Sequence, residues 1–172
     1  MSKAYSLAGI RVGWIASRDR SLIEKLASAR DYTTISVSSL DDAVASYALA
    51  PACVNNLLKR NTKMAQTNLA ILEKFIETHP EQCDWVKPRA GTTALVRFKN
   101  KGQPVDDVAF CEMLLKRTGV MLVPGRACFG NGQDFKGCVR VGYVNETDVL
   151  QNGLEGLGEF IKNDYQEVPM LN

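Results

Sequence analysis

Histidine is almost missing from this chain: His79 is the single copy among 172 residues. The five cysteines, Cys53, Cys83, Cys111, Cys128 and Cys138, are widely spaced and never form C-x-x-C. These two scarcities exclude a zinc-type cluster, and an odd set of scattered thiols reads as free cysteines in a reducing compartment. Each is expected to pack rather than react. No apolar run approaches the ~18 residues of a membrane span, and Met-Ser-Lys does not open a signal peptide. Basic and acidic residues nearly balance, 21 against 19, and no basic block stands out. Neither nucleic acid nor an anionic membrane is therefore implied as a partner. Internal repeats and low-complexity tracts are also lacking.

What remains is an ordinary globular composition, 45% hydrophobic and 23% charged, with enough length to bury a core. Its most informative stretch is the beginning. Residues 2–14 read SKAYSLAGIRVGW: a lysine, a short apolar segment, then an arginine bracketed by Gly9 and Gly13. A primary amine can condense with an aldehyde, and a guanidinium grips two oxygens of an anion at once. Glycines beside the arginine let backbone bend or approach a ligand. One lysine and one arginine would read as surface residues; the whole pattern in register does not.

The pattern S-K-x(5)-G-x-R-x-G-W resembles the cofactor-lysine segment of pyridoxal-phosphate (PLP) aminotransferases of class I/II, the aspartate-aminotransferase fold. The resemblance implies that Lys3 is the catalytic Schiff-base residue, that Arg11 binds the cofactor phosphate, and that Ser2 joins them in the cofactor site. In such proteins the lysine follows most of a large PLP-binding domain, so the chain resembles their C-terminal part. The fold class implied is α/β with an α+β small domain. Residues 1–50 are expected to be a remnant of the large domain, 51–80 an interdomain helix, and 81–172 a small domain with a mainly antiparallel sheet.

Along the chain, residues 11–17 are expected to form a buried strand. Asp19 caps a following helix with Leu22, Ile23 and Leu26 as its buried stripe. Residues 31–38 lack helical period. Tyr32, Thr34 and Ser36 either line a neighbouring subunit's substrate pocket, as the resemblance implies, or satisfy their own backbone. Ser39 opens a helix with Leu40, Ala43, Val44, Tyr47 and Ala48 on one face, and Pro51 interrupts it. A longer amphipathic run follows to His79-Pro80, where His79 reads as a cap or dipole partner rather than an acid–base group. Short strands are expected at Trp85-Val86, at residues 92–98 and at 120–123. Asp106 and Gly119 bound a helix with Val108, Cys111 and Leu115 inside.

Two later motifs extend the resemblance. Pro124-Gly125-Arg126-Ala127-Cys128-Phe129-Gly130 is similar to the family's P-G-x-x-F-G turn beside the active site, with one residue more between Gly125 and Phe129. Val139-Arg140-Val141-Gly142-Tyr143 is similar to the strand whose arginine holds the substrate α-carboxylate, which implies that role for Arg140. Where such enzymes often carry Gly-Gly-aromatic, this chain has Ala90-Gly91-Thr92-Thr93, leaving the substrate subgroup open. The last helix starts near Asn145, with Leu150, Leu154, Leu157 and Ile161 as its stripe, and the tail from Asp164 is expected to be poorly ordered.

Taken together, the resemblance implies amino-group transfer between an amino acid and a 2-oxo acid, in the cytoplasm, with homodimers in the full-length family. Two alternatives stay open: another PLP-dependent lyase, cyclase or decarboxylase of the same fold, and a non-catalytic remnant that binds a partner. This polypeptide alone is expected to be inactive although its family transaminates.

Overall fold

The computed structural model describes residues 1–129 and 131–171. Gly130, the last residue of the PGRACFG turn, and Asn172 lie outside the described residues. The chain divides into two compact units, Met1–Lys63 and Met64–Asn172, with the helix Pro51–Glu77 (α3) running through the boundary.

The first unit is poor in core. A 3-10 turn at Ala8–Ile10 is followed by residues 11–18 without helix or strand. The strand expected at 11–17 is therefore absent: a strand requires a ladder partner, and none of the described strands pairs with it. Trp14 and Ile15 are left 62% and 69% exposed. The next helix, Arg20–Arg30 (α1), is capped as expected, the Asp19 carboxylate accepting from Leu22 N–H at 3.1 Å. Its apolar stripe is not buried, however; Leu22 is exposed while Ile23 and Leu26 are half-covered. In the helix Ser39–Leu49 (α2), Ser38 is the cap, and the covered face is Ala45 and Ala48 rather than the larger Leu40, Val44 and Tyr47. Periodicity marked the stripe, but burial depends on what packs against it.

The second unit holds the core. Strands Cys83–Trp85 (β1), Thr93–Asn100 (β2), Gln103–Pro104 (β3), Val123–Pro124 (β4) and Cys138–Gly142 (β5) make an antiparallel sheet in the order β1-β2-β5-β4, with β3 beside β2. Of the strand expected at 120–123 only Val123 lies in a ladder, which continues one residue further to Pro124. Alternation along β2 buries Ala94, Val96 and Phe98 and turns Leu95 and Arg97 outward. These inward residues join Val139 and Val141 of β5, Leu72 and Ile76 of α3, and two more helices. Asp107–Thr118 (α4) begins at Asp106, whose carboxylate accepts from Val108 and Ala109 N–H, and ends at Gly119 with φ +77°. It buries Phe110, Cys111 and Leu114, while Leu115, expected inside, faces out. Thr147–Asn163 (α6) buries Leu150, Leu154, Leu157 and Phe160. Phe98 and Phe110 stack, and Phe160 and Tyr165 meet Phe110 edge-on.

Tyr165 overturns the expectation of a poorly ordered tail. A 3-10 turn at Tyr165–Glu167 sinks its ring into the core at 2% exposure, and its hydroxyl donates to the carbonyls of Lys99 and Gln82 at 2.8 and 3.2 Å. Val168 is buried, Asp106 N–H donates to Pro169 O, and Leu171 N–H donates to Pro104 O. A terminal segment is held when its aromatic finds a cavity and its backbone finds partners.

Asn68 of α3 is wholly buried. Its Nδ2 donates to the carbonyls of Tyr143 and Asn145 at 2.9 and 2.8 Å, and its Oδ1 accepts from the Thr147 hydroxyl at 2.8 Å. One side chain thereby fixes the end of β5 and the start of α6 to the long helix. Asn68→Ala strands two carbonyls and a hydroxyl, so it is expected to cost about 2–3 kcal/mol, read as a fall in the urea midpoint with an unchanged slope.

All five thiols are free. Burial pushes those of Cys83 and Cys111 up to about 12, with Asp84 and Asp107 respectively adding to the shift. The unfolded thiol titrates near 9.0, so the folded chain retains protons that the unfolded chain would release. The stabilisation this represents is intact below about pH 9 and is lost as pH rises towards about 12. Urea midpoints are accordingly expected to fall from neutral to alkaline pH, less steeply in the Cys83→Ala/Cys111→Ala double variant.

Candidate functional site

The lysine segment belongs to the first unit. Lys3 sits on a turn in which Ser6 N–H donates to Lys3 O at 2.9 Å and Leu7 N–H to Met1 O at 3.2 Å. The amino group of Met1 donates to Val12 O at 3.1 Å, closing the segment on itself. Ser2 is half-buried, whereas Lys3 and Arg11 are exposed. Arg11 ends the 3-10 turn in the left-handed region, φ 54°, with its own Nη1 donating to Ala8 O at 3.2 Å. The positive φ thus falls on the arginine and not on Gly9 or Gly13, around which a Cβ would meet nothing within 4 Å. Among the described residues, neither Lys3 nor Arg11 forms an ion pair. An amine for an aldehyde and a guanidinium for a phosphate, neither paired with a carboxylate among the described residues, form a donor set that fits pyridoxal phosphate.

The arginine strand belongs to the second unit. Arg140 lies opposite Leu95 on β2 and Val123 on β4, and its side chain leaves the sheet on the face away from the core. There it lines a hollow of about 980 Å³ with Trp85, Leu95, Arg97 and Phe129 among the walls. The Arg140 guanidinium stands 5.3 Å from the centre of the Phe129 ring, a cation–π contact that orients it without neutralising it. Arg97, two residues along β2 from Leu95, is differently employed: its fork grips both oxygens of Asp84 at 3.1 Å, and Lys99 adds a third bond at 3.0 Å. Burial pushes the Asp84 carboxyl up, but hydrogen bonds from Arg97 and Lys99 outweigh it and hold the group below its usual range. Of the two arginines in the hollow, only Arg140 lacks a carboxylate partner among the described residues.

Phe129 is placed by a helix of one turn and a little more, Gly125–Phe129 (α5), where the sequence suggested only a turn. Asp107 at the start of α4 accepts from Arg126 N–H at 2.9 Å and from its Nε at 3.2 Å, and Asp106 accepts from Nη2 at 3.1 Å. Gly125 packs so closely on β5 that a Cβ would lie 2.7 Å from Cys138 O. The loop before β2 is tied in turn by Tyr143, whose hydroxyl donates to Gly91 O at 2.8 Å and whose N–H donates to Thr92 O at 3.2 Å. Asp106, Asp107 and Tyr143 escape motif reading as site supports because the groups they hold lie 20, 19 and 52 residues away in sequence. On α3, Asn61 and Asn68 carry one detectable signal: each is an amide interrupting the helix's apolar face.

These arrangements meet a known family. A profile described as aminotransferase class I and II matches residues 1–157. The chain belongs to this family. Capreomycidine synthase of Streptomyces vinaceus is 34% identical over 92% of the chain and 38% of its own length. A PLP-dependent aminotransferase from Streptococcus suis superposes with a TM-score of 0.81 at 37% identity, over 94% of this chain and 40% of that one. The PLP-dependent cyclase OrfR superposes at 0.78 with 28% identity, over 94% and 41%. The chain thus spans about two fifths of the length of the relatives it matches.

Because the Asp107 carboxylate is fully buried and receives both backbone and side chain of Arg126, Asp107→Ala should release α5. A thermal midpoint lowered by about 5 °C or more is expected, with tryptic cleavage after Arg126 appearing before cleavage elsewhere in the second unit.

Proposed function

We propose that this chain is the C-terminal part of a PLP-dependent aminotransferase, moving an amino group between an amino acid and a 2-oxo acid. The observation that carries the reading is the SKAYSLAGIRVGW segment in register, inside a family match that runs to residue 157. On this reading residues 1–50 descend from the large domain, 51–80 link the domains, and 81–172 are the small domain.

When bound, pyridoxal phosphate supplies an aldehyde for an amine and a ring that accepts electron density from the amino acid Cα. Lys3 holds the cofactor through its Nζ, with Ser2 beside it. With its Nζ free, Lys3 would be the base that takes the proton from the amino acid Cα. Arg11 offers a permanent cation to the phosphate, an anion that a planar fork binds through two oxygens. Arg140 receives the α-carboxylate. Among the described residues it has no carboxylate partner, which leaves the guanidinium available, and the Phe129 face orients it. Bidentate binding there fixes the orientation of the Cα–H bond, and orientation of this kind is worth several orders of magnitude in rate.

A second reading within the same chemistry is favoured by two relatives, a capreomycidine synthase and a cyclase. Formation of a 2-oxo acid from the consumed amino acid supports transfer; consumption without it supports cyclisation or elimination.

Borohydride reduction of the protein with PLP, followed by peptide mapping, is expected to mark Lys3 and to fail in Lys3→Ala. Arg11→Ala is expected to weaken PLP binding about 10- to 100-fold, the loss of a charge-assisted fork. Arg140→Ala should raise the half-saturating amino acid concentration without moving PLP affinity, whereas Arg97→Ala should leave both nearly unchanged. A mark on another lysine overturns the assignment.

A further inference from the structure

We propose that Asn61 is a positioning residue for the Lys3 amine, a role that rests on reading Lys3 as the cofactor lysine. The Asn61 Nδ2 donates to the carbonyl oxygen of Ala4, the residue directly after Lys3, at 2.9 Å across 57 positions of sequence. Asn61 is only 6% exposed although it sits in the middle of a helix rich in solvent-facing polar residues. A buried amide is costly unless both of its ends are satisfied. Here both are: Oδ1 accepts from Nε and Nη2 of Arg60 at 3.2 and 3.1 Å. That fork also fixes which end of the amide faces Ala4, because two N–H donors on one side require the oxygen there and leave the NH2 for the carbonyl.

The other bonds of the lysine turn, from Ser6 to Lys3, from Leu7 to Met1 and from Met1 to Val12, are internal to the first twelve residues and too local to persist once the segment leaves α3. The Asn61 bond instead ties that segment to α3. It acts on the backbone beside the lysine and leaves the exposed side chain unrestrained. An amine that must attach to a cofactor, let go and then handle a proton needs that combination of an anchored root and a mobile end. Displacing such a root by about 1 Å can cost on the order of 100-fold in rate.

The test compares the full chain with Asn61→Asp and Asn61→Ala. Aspartate keeps the shape and the Arg60 contact but, when ionised, cannot donate to Ala4; alanine removes the donor without adding charge. Two readouts are taken: hydrogen exchange at the Ser6 and Leu7 amides, and the rate at which borohydride fixes PLP on Lys3, found by peptide mapping. Both variants are expected to lose protection at Ser6 and Leu7 and to mark Lys3 about tenfold more slowly, while amides of the second unit keep theirs. Unchanged protection together with unchanged marking of Lys3 in Asn61→Asp overturns the role of Asn61 alone. No mark on Lys3 in the unaltered chain overturns the reading of Lys3, and loss of protection at Ser6 and Leu7 in the variants then still establishes the tie to α3.

Discussion

Asn68 uses every hydrogen-bonding capacity that its amide directs into the core, and the second unit is arranged around that fact. A helix interior offers few reasons to bury a polar side chain, since its backbone is already satisfied and the amide must be compensated from elsewhere. The compensation comes from the carbonyls of Tyr143 and Asn145 and the hydroxyl of Thr147, all within seven residues of Arg140. Apolar packing could place α3 against the sheet in several neighbouring registers at similar energy. Three directional bonds admit one. Because Tyr143 in turn holds the loop at Gly91 and Thr92, the same constraint reaches the rim of the hollow.

The outward face of the sheet shows how two like side chains can be given unlike tasks. Arg97 and Arg140 stand on adjacent antiparallel strands and line one hollow. Arg97 closes on Asp84, whose charge is further balanced by Lys99, and so contributes structure at the exposed end of β1. Exposed ion pairs of this sort add little stability, but they remove a competing cation from the neighbourhood of a second one. Arg140, opposite Leu95 and over Phe129, keeps its charge available. Electrostatic contrast between the two, rather than the presence of arginine as such, separates a guanidinium open to an anion from one already held by a carboxylate.

Much of this was legible in the order of residues. Capping is local chemistry, so Asp19, Asp106 and Gly119 could be placed from sequence and stand where expected. The strands β2 and β5 announced themselves by alternation, and the lysine and arginine motifs by spacing. What escaped depends on partners far along the chain. The stripe of α1 was real, but no element covers Leu22. The segment 11–17 has strand-like composition without a neighbouring strand to pair with. The tail looked dispensable because a polar stretch with one proline gives no hint that Tyr165 fits beside Phe110. Asn61 and Asn68 show in sequence only as amides breaking the apolar face of α3, and the carbonyls they hold lie more than fifty residues away.

Gly125 gives the second half of a sequence signature a purely steric origin. With Cys138 O 2.7 Å from where a Cβ would be, even alanine would push α5 off the strand and carry the Phe129 ring away from its cation. Crowding between a helix and a sheet is enough to require glycine there, and no ligand need enter the explanation. Signatures of this kind mix two alphabets, one written by chemistry and one by available volume. A chain that preserves only the second would match the pattern, fold correctly around it, and catalyse nothing.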